Sequence, residues 1–208
     1  ISVFEKTQDN DRYFLTVTHG GGTVTELKEH NYIVSPDTAE SRFEISCLFT
    51  EDDPGAALAD FSMVREASAK SWEDFWMSGG AVDFSDCTDP RAPELERRVV
   101  LSRYLTKIQC SGSLPPAETG LSYNNWFGKF HLEMHWWHAV HFALWQKEEI
   151  IEKQMKYYAD IIENARKTAI HQGYRGVRWP KMTDPEGRES PSSVGTYLIW
   201  QQPHPIFF

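Results

Sequence analysis

Cysteine, long apolar runs and clustered positive charge are all scarce in this 208-residue chain. The cysteines are Cys47, Cys87 and Cys110. That odd, widely spaced set matches no zinc pattern and no disulfide framework, so buried free thiols are expected and no cofactor is assigned. No apolar run reaches the ~18 residues that a membrane-spanning helix needs, so no membrane partner is expected. Asp and Glu (30) outnumber Lys and Arg (21), for a net charge of −9, and no basic cluster appears. Nucleic acid needs a positive footprint, so it is set aside as a partner. The chain also lacks an initiating Met and a signal peptide. It opens on ISVF and closes on IFF. Natural termini are usually polar and exposed. The expectation is a piece of a longer polypeptide, with the remainder of that polypeptide or a self-association partner beside it.

Tyr123 to Trp145 is the densest stretch, YNNWFGKFHLEMHWWHAVHFALW. It holds four of the eight tryptophans and four of the eight histidines. From Leu132 onward it has no Gly or Pro and no polar stripe beyond histidines. Such a segment reads as a helix buried on all sides. Its entrance carries Asn125, Trp126 and Lys129, with Glu133 on the expected first helical turn. Aromatic faces stack on the apolar side of a pyranose, while amides and carboxylates bond its hydroxyls. The plainer alternative makes Trp126 and Trp136 ordinary packing and the Asn pair a turn.

Residues 1–50 read as strands. Residues 13–18 (YFLTVT) are rich in β-formers, and Phe43, Ile45, Cys47 and Phe49 alternate to one side. Residues 23–38 read as loop or edge strand. A helix is expected over about 56–76, with Phe61, Val64, Ala67 and Trp72 on one face, and a solvated linker over 81–93. Residues 94–110 read as an amphipathic helix facing inward through Val99, Val100, Tyr104, Leu105 and Ile108. Residues 148–172 read as one long amphipathic helix ended by Gly173. The turn-rich connection from Tyr174, holding Trp179, is long enough to be functional and is expected to be ordered. Trp200, Gln201 and His204 form a second polar entrance, with Pro203 and Pro205 suited to a helix's first turn. Helices buried all round alternating with helices wet on one face imply two concentric layers, of which an α/α toroid is the commonest closed form.

Three stretches together, GKFHLEMHWWHA (128–139), YRGVRWP (174–180) and IWQQPHPI (199–206), resemble the six-hairpin (α/α)6-toroid glycosidases. Maltose- and trehalose-phosphorylase-like enzymes and bacterial α-L-fucosidases are the relatives in view. The resemblance implies an α+β fold: the C-terminal part of an antiparallel β-sandwich (1–52), a linker with a helix (53–93), and the first hairpins of an (α/α)6 toroid (94–208). It implies a glycoside hydrolase acting on a saccharide, with glycoside phosphorylase or a non-catalytic carbohydrate-binding relative as alternatives, and favours a periplasmic or secreted setting. The family's sugar-binding positions fall near Phe130, His131 and Glu133. Its G-x-x-x-P-W stretch resembles Gly176 to Pro180, with Trp and Pro reversed. The family's general acid lies on a later hairpin. Inverting hydrolysis takes two carboxyls about 6.5–9.5 Å apart, and the sequence offers no persuasive second one.

The candidate substrate-binding set is therefore Asn125, Trp126, Lys129, His131, Glu133, Trp136, Trp179, Trp200, Gln201 and His204. Two further readings stay open. His131, His135 and His138, at i, i+4 and i+7, share a helical face that suits zinc, though the run is not HExxH. They also suit a sugar pocket or a satisfied core. Glu133 is either a sugar ligand or the partner of Lys129 or of an Arg from the long loop.

Overall fold

A computed structural model describes residues 1–37, 42–55 and 59–208. The end of the expected edge loop at Thr38 and the expected helix start at Ala56 lie outside the described residues. The protein is mixed α+β, with small antiparallel sheets and six helices among the described residues, which form no closed barrel. It divides into two compact units, Ile1–Met77 and Ser78–Phe208.

In the first unit β1 (Ser2–Gln8), β2 (Asp11–His19) and β5 (Ile45–Thr50) form one antiparallel sheet with β2 in the middle. Asp9 and Asn10 make the tight β1–β2 turn, Asp9 at φ 54°, as two-residue hairpins require. As the central strand, β2 buries both faces: Phe14 and Thr16 on one, Val17 on the other. The region read as loop or edge is a hairpin, β3 (Thr23–Lys28) and β4 (Asn31–Ser35), whose Tyr32 ring packs 4.3 Å from Phe4. β5 forms, but Ile45, Cys47 and Phe49 are exposed, as is Leu48 on the other face, so the alternation does not mark a core face. Helix α1 (Phe61–Met77) is capped by Asp60, whose Oδ1 accepts from Met63 N–H at 2.9 Å. Val64 and Ala67 are exposed, so the expected apolar face is not the buried one; Phe75 is the helix's buried residue.

In the second unit the expected linker is tied to the helix that follows it, Phe84 N–H donating to Glu96 Oε2 at 2.7 Å. Helix α2 (Ala92–Cys110) has Pro93 in its first turn, where the missing N–H costs nothing. Its expected inward face holds only in part: Val99 and Ile108 are half-buried, while Val100, Tyr104 and Leu105 are exposed. The buried residues are Ala92, Cys110 and Arg103, whose guanidinium lies 4.3 Å over the Trp145 ring. A planar, weakly hydrated cation is well suited to lie on indole.

Helix α3 runs over His135–Leu144 and is not buried all round. His135, His138, Ala139 and Phe142 are buried, at i, i+3, i+4 and i+7, while Trp137 is 55% and Leu144 76% exposed. A single packed stripe accounts for this, because exposed Trp and Leu look like core in a one-dimensional reading. The helix also starts later than expected. Phe130–His131 is a strand, β6, paired with β7 (Met182–Thr183) from the long connection. The expected long helix is two, α4 (Glu148–Asp160) and α5 (Ile162–His171), broken at Ile161. Pro203 and Pro205 flank the start of α6 (His204–Phe207), a single turn. Cys110 is buried, but Cys47 and Cys87 are exposed, against the expectation of buried thiols.

The core gathers Leu132, Tyr157, Tyr158, Ile161, Ala165 and Trp179, with Phe130, Met155 and Val177 against it. The turn at Asp184–Arg188 presses on this core through Gly187. Gly187 has φ 80°, and a Cβ there would lie 2.5–2.9 Å from Ile161 side-chain atoms. Gly187→Ala is therefore expected to destabilise the fold by roughly 2–3 kcal/mol, through overpacking and a disfavoured φ. Urea unfolding measures it, and an unchanged midpoint contradicts the docking of this turn on Ile161.

Candidate functional site

β6 sits between two chain segments. His131 N–H donates to Pro116 O at 3.1 Å, Phe130 bridges Ala117, and β7 pairs on the other edge. Strand alternation then separates neighbours. Phe130 packs edge-on against Tyr157 at 5.4 Å, in the core. His131 turns the other way, with its ring 6.3 Å from Trp126 and its Nε2 3.2 Å from Glu133 Oε2. Glu133 is therefore in a turn before α3 rather than on its first turn. Its backbone N–H donates to Lys181 O at 3.1 Å, and its Oε2 forms an ion pair with Lys181 Nζ at 3.2 Å. Lys181, not Lys129 or an Arg, is the partner that the long connection supplies. The same ammonium lies 4.9 Å over the Trp126 ring, an attraction that strengthens when the pair is desolvated.

Around this centre, Asn125 Oδ1 accepts from Trp126 N–H at 2.9 Å, and its amide stands 3.5 Å from Glu118 Oε2. Lys129 reaches Pro191 O at 3.1 Å. Trp126, Phe127 and Gly128 have φ values of 52°, 59° and 67°. Two consecutive non-glycine residues in the left-handed region cost about 1–2 kcal/mol each. Asn125, Trp126, Lys129, His131 and Glu133 thus come together in one cluster. Lys181 and Glu118 belong to it, and sequence reasoning missed both. Lys181 follows the YRGVRWP motif directly. Nothing local marks Glu118, which the Ala117–Phe130 bridge brings in.

The other five expected residues lie elsewhere. Trp136, Trp200 and His204 form an aromatic group, Trp136 and Trp200 lying 5.6 and 5.3 Å from the His204 ring. His204 Nδ1 donates to Leu132 O at 3.2 Å, under the turn that carries Glu133. Trp179 and Gln201 are buried. Trp179 packs edge-on to Tyr158 at 5.1 Å, and Gln201 donates to the carbonyls of Trp179 and Leu198.

The three imidazoles expected on one helical face do not share one, because His131 is in a strand. Each has its own partner. His138 Nε2 donates to Glu118 O at 2.9 Å. His135, with no exposed surface, is held at both nitrogens. Gln154 spends its amide N–H groups on Cys110 O (2.6 Å) and Gly112 O (3.1 Å), so its oxygen faces His135 Nε2 at 2.7 Å. His135 therefore donates from Nε2 and accepts at Nδ1 from the Tyr158 hydroxyl, 2.8 Å away. Among the described residues, no three His, Cys, Asp or Glu side chains converge to hold a metal ion.

A cleft of about 660 Å³ lies apart from this cluster. Uncharged residues line it, among them Ile108, Leu114, Pro116, Leu121 and Tyr123, and none of the ten expected residues does. Volume and chemistry disagree here. The cluster carries more weight as a site because convergent charges and an aromatic ring confer specificity, which a smooth apolar wall does not. No protein-family model, no curated protein and no solved structure matches the chain.

Burial lowers the basicity of His131, His138, His141 and His204, and drives His135 down to about 4. At His131 the carboxylates of Glu133 and Glu118 oppose that burial without overcoming it. A base whose folded pKa lies below its unfolded value takes up its proton first in the unfolded chain. Stability is therefore full above about pH 6.5 and falls as pH drops toward 4. His135 alone accounts for roughly 3 kcal/mol at about 1.4 kcal/mol per pKa unit. Urea melts between pH 7.5 and 4 are expected to show loss beginning near pH 6.5, above the carboxylate range. A flat midpoint down to pH 4.5 contradicts this.

Proposed function

We propose that the chain binds a saccharide at the Trp126–Glu133–Lys181 cluster, as part of a six-hairpin glycoside hydrolase. In that reading the small sheets belong to a β-sandwich, and α2 to α5 belong to the first hairpins of an (α/α)6 toroid. The observation that carries the proposal is the meeting of a partly exposed indole, a carboxylate and an ammonium, drawn from two distant segments. A pyranose presents an apolar C–H face and a rim of hydroxyls. Trp126 suits the face, and Glu133, Lys181 and Asn125 suit the rim.

Glu118 is the second carboxyl that the sequence reading lacked. It and Glu133 both act electrostatically on His131. Acid–base cleavage of a glycosidic bond requires two carboxyls, one protonating the leaving oxygen and one activating water, and this reading assigns those roles to Glu118 and Glu133. A second reading, carbohydrate binding without catalysis, draws support from Glu133 itself. Its Oε2 stands 3.2 Å from both Lys181 and His131, an arrangement suited to orienting a hydroxyl rather than releasing a proton.

Titration calorimetry with glucose, maltose, trehalose and L-fucose tests binding. Trp126→Ala and Glu133→Gln are each expected to weaken the sugar that binds by about tenfold or more, close to the loss of one stacking or charged contact. Cleavage of 4-nitrophenyl glycosides, with and without inorganic phosphate, then separates hydrolysis from phosphorolysis, and Glu118→Gln is expected to abolish either. Binding without cleavage selects the non-catalytic reading. A wild-type protein that binds none of the sugars contradicts the proposal.

A further inference from the structure

The turn Trp126–Phe127–Gly128 is unusual for what occupies it. Left-handed backbone is cheap for glycine and tolerable for asparagine, and of the three residues only Gly128 is suited to it. The turn is held by Trp126 N–H on Asn125 Oδ1, by Gly128 N–H on Asn125 O at 3.2 Å, and by Lys129 N–H on Trp126 O at 3.4 Å. Lys129 anchors its far side on Pro191 O. What this strained geometry achieves is the direction of one side chain. Phe127 stands 87% exposed next to Trp126, which is 38% exposed, with Lys129 Nζ 5.5 Å from its ring. Backbone strain that persists at an exposed aromatic points to use rather than to packing, because packing gains nothing from a ring in water.

We propose that Phe127 is a ligand-contacting residue of the same site, whose ring closes over a saccharide resting on Trp126. This rests on the saccharide reading above. Lys181 lies over the Trp126 ring and takes up part of its stacking surface. A pyranose has two faces, and Phe127 is the adjacent exposed aromatic that can cover the second. The turn pre-orders that ring, so little conformational freedom is lost when the ligand arrives. The ligand class that fits is a neutral sugar with an apolar ring face, not a charged one, because Lys181 and Glu133 already neutralise each other.

Three variants test this with the sugar panel and thermal melts. Phe127→Gly removes the ring and relieves the strain; it is expected to raise the Tm by about 2–4 °C while weakening binding about tenfold. Phe127→Ala removes the ring alone and should weaken binding equally without raising the Tm. Phe127→Tyr keeps an aromatic ring and should bind within about twofold of wild type, a rescue that a purely structural role does not give. Wild-type binding left untouched by Phe127→Gly and Phe127→Ala overturns this inference alone, as does a lowered Tm for Phe127→Gly. Absence of any wild-type binding overturns the saccharide reading and this inference with it.

Discussion

An imidazole with no access to water, His135, sets the terms for the second unit. Each of its nitrogens must find a partner, because an orphaned buried polar group costs about 1–3 kcal/mol. Tyr158 and Gln154 on α4 supply those partners, and Gln154 passes the constraint on to the carbonyls that end α2. One side chain thus joins α3, α4 and the Cys110–Gly112 segment. Tyr158 also packs on Trp179, so the register of α3 against α4 governs where the long connection lies. Lys181 is two residues beyond Trp179, and through it the same constraint reaches Glu133.

The candidate site is what this scaffold leaves over. Of the histidines near it, those on α3 spend Nε2 on scaffold groups: His135 on Gln154, His138 on Glu118 O and His141 on His138 O. Chemistry therefore falls to Glu133, Lys181, Trp126 and Glu118. Strand alternation in β6 does the sorting, sending Phe130 to the core and His131 to the charged side. Stability and function are in tension nearby. The left-handed turn at Trp126 and Phe127 costs free energy that a glycine would save.

Features governed by local rules were legible in the sequence. The strands within residues 1–50 followed from their β-formers, though the tight Asp9–Asn10 hairpin turn was not read. The extent of α2 followed from helix periodicity, and the first-turn placement of Pro205 from proline's missing N–H, while Pro203 precedes the helix as its N-cap. The order of the long connection was also legible, from its Trp and Pro. What failed depended on remote partners. Nothing near His131 shows that its N–H is taken by Pro116 O, or that Glu133 N–H is taken by Lys181 O, so the start of α3 was misplaced. Ile161 has no Gly or Pro beside it, yet the helix breaks there, where the Gly187 turn packs. Arg103 reads as a wet residue until Trp145 is seen beneath it. The ring of aromatics around α3 looked uniformly buried because hydrophobicity alone does not say which Trp has a neighbour. Five of the seven residues of the candidate site were readable, the contiguous set from Asn125 to Glu133; Lys181 and Glu118 arrive through strand pairing.

The central claim is that His135 is a neutral, doubly bonded link between α3 and α4, and that everything downstream to Lys181 inherits its position. Long-range 1H–15N NMR of the histidine side chains tests this directly. The account expects a slowly exchanging proton on Nε2 of His135, an unprotonated Nδ1 accepting from Tyr158, and the same tautomer from pH 8 to pH 5. A proton on Nδ1, or a ring that exchanges tautomers and titrates near 6.5 like a solvated imidazole, contradicts it.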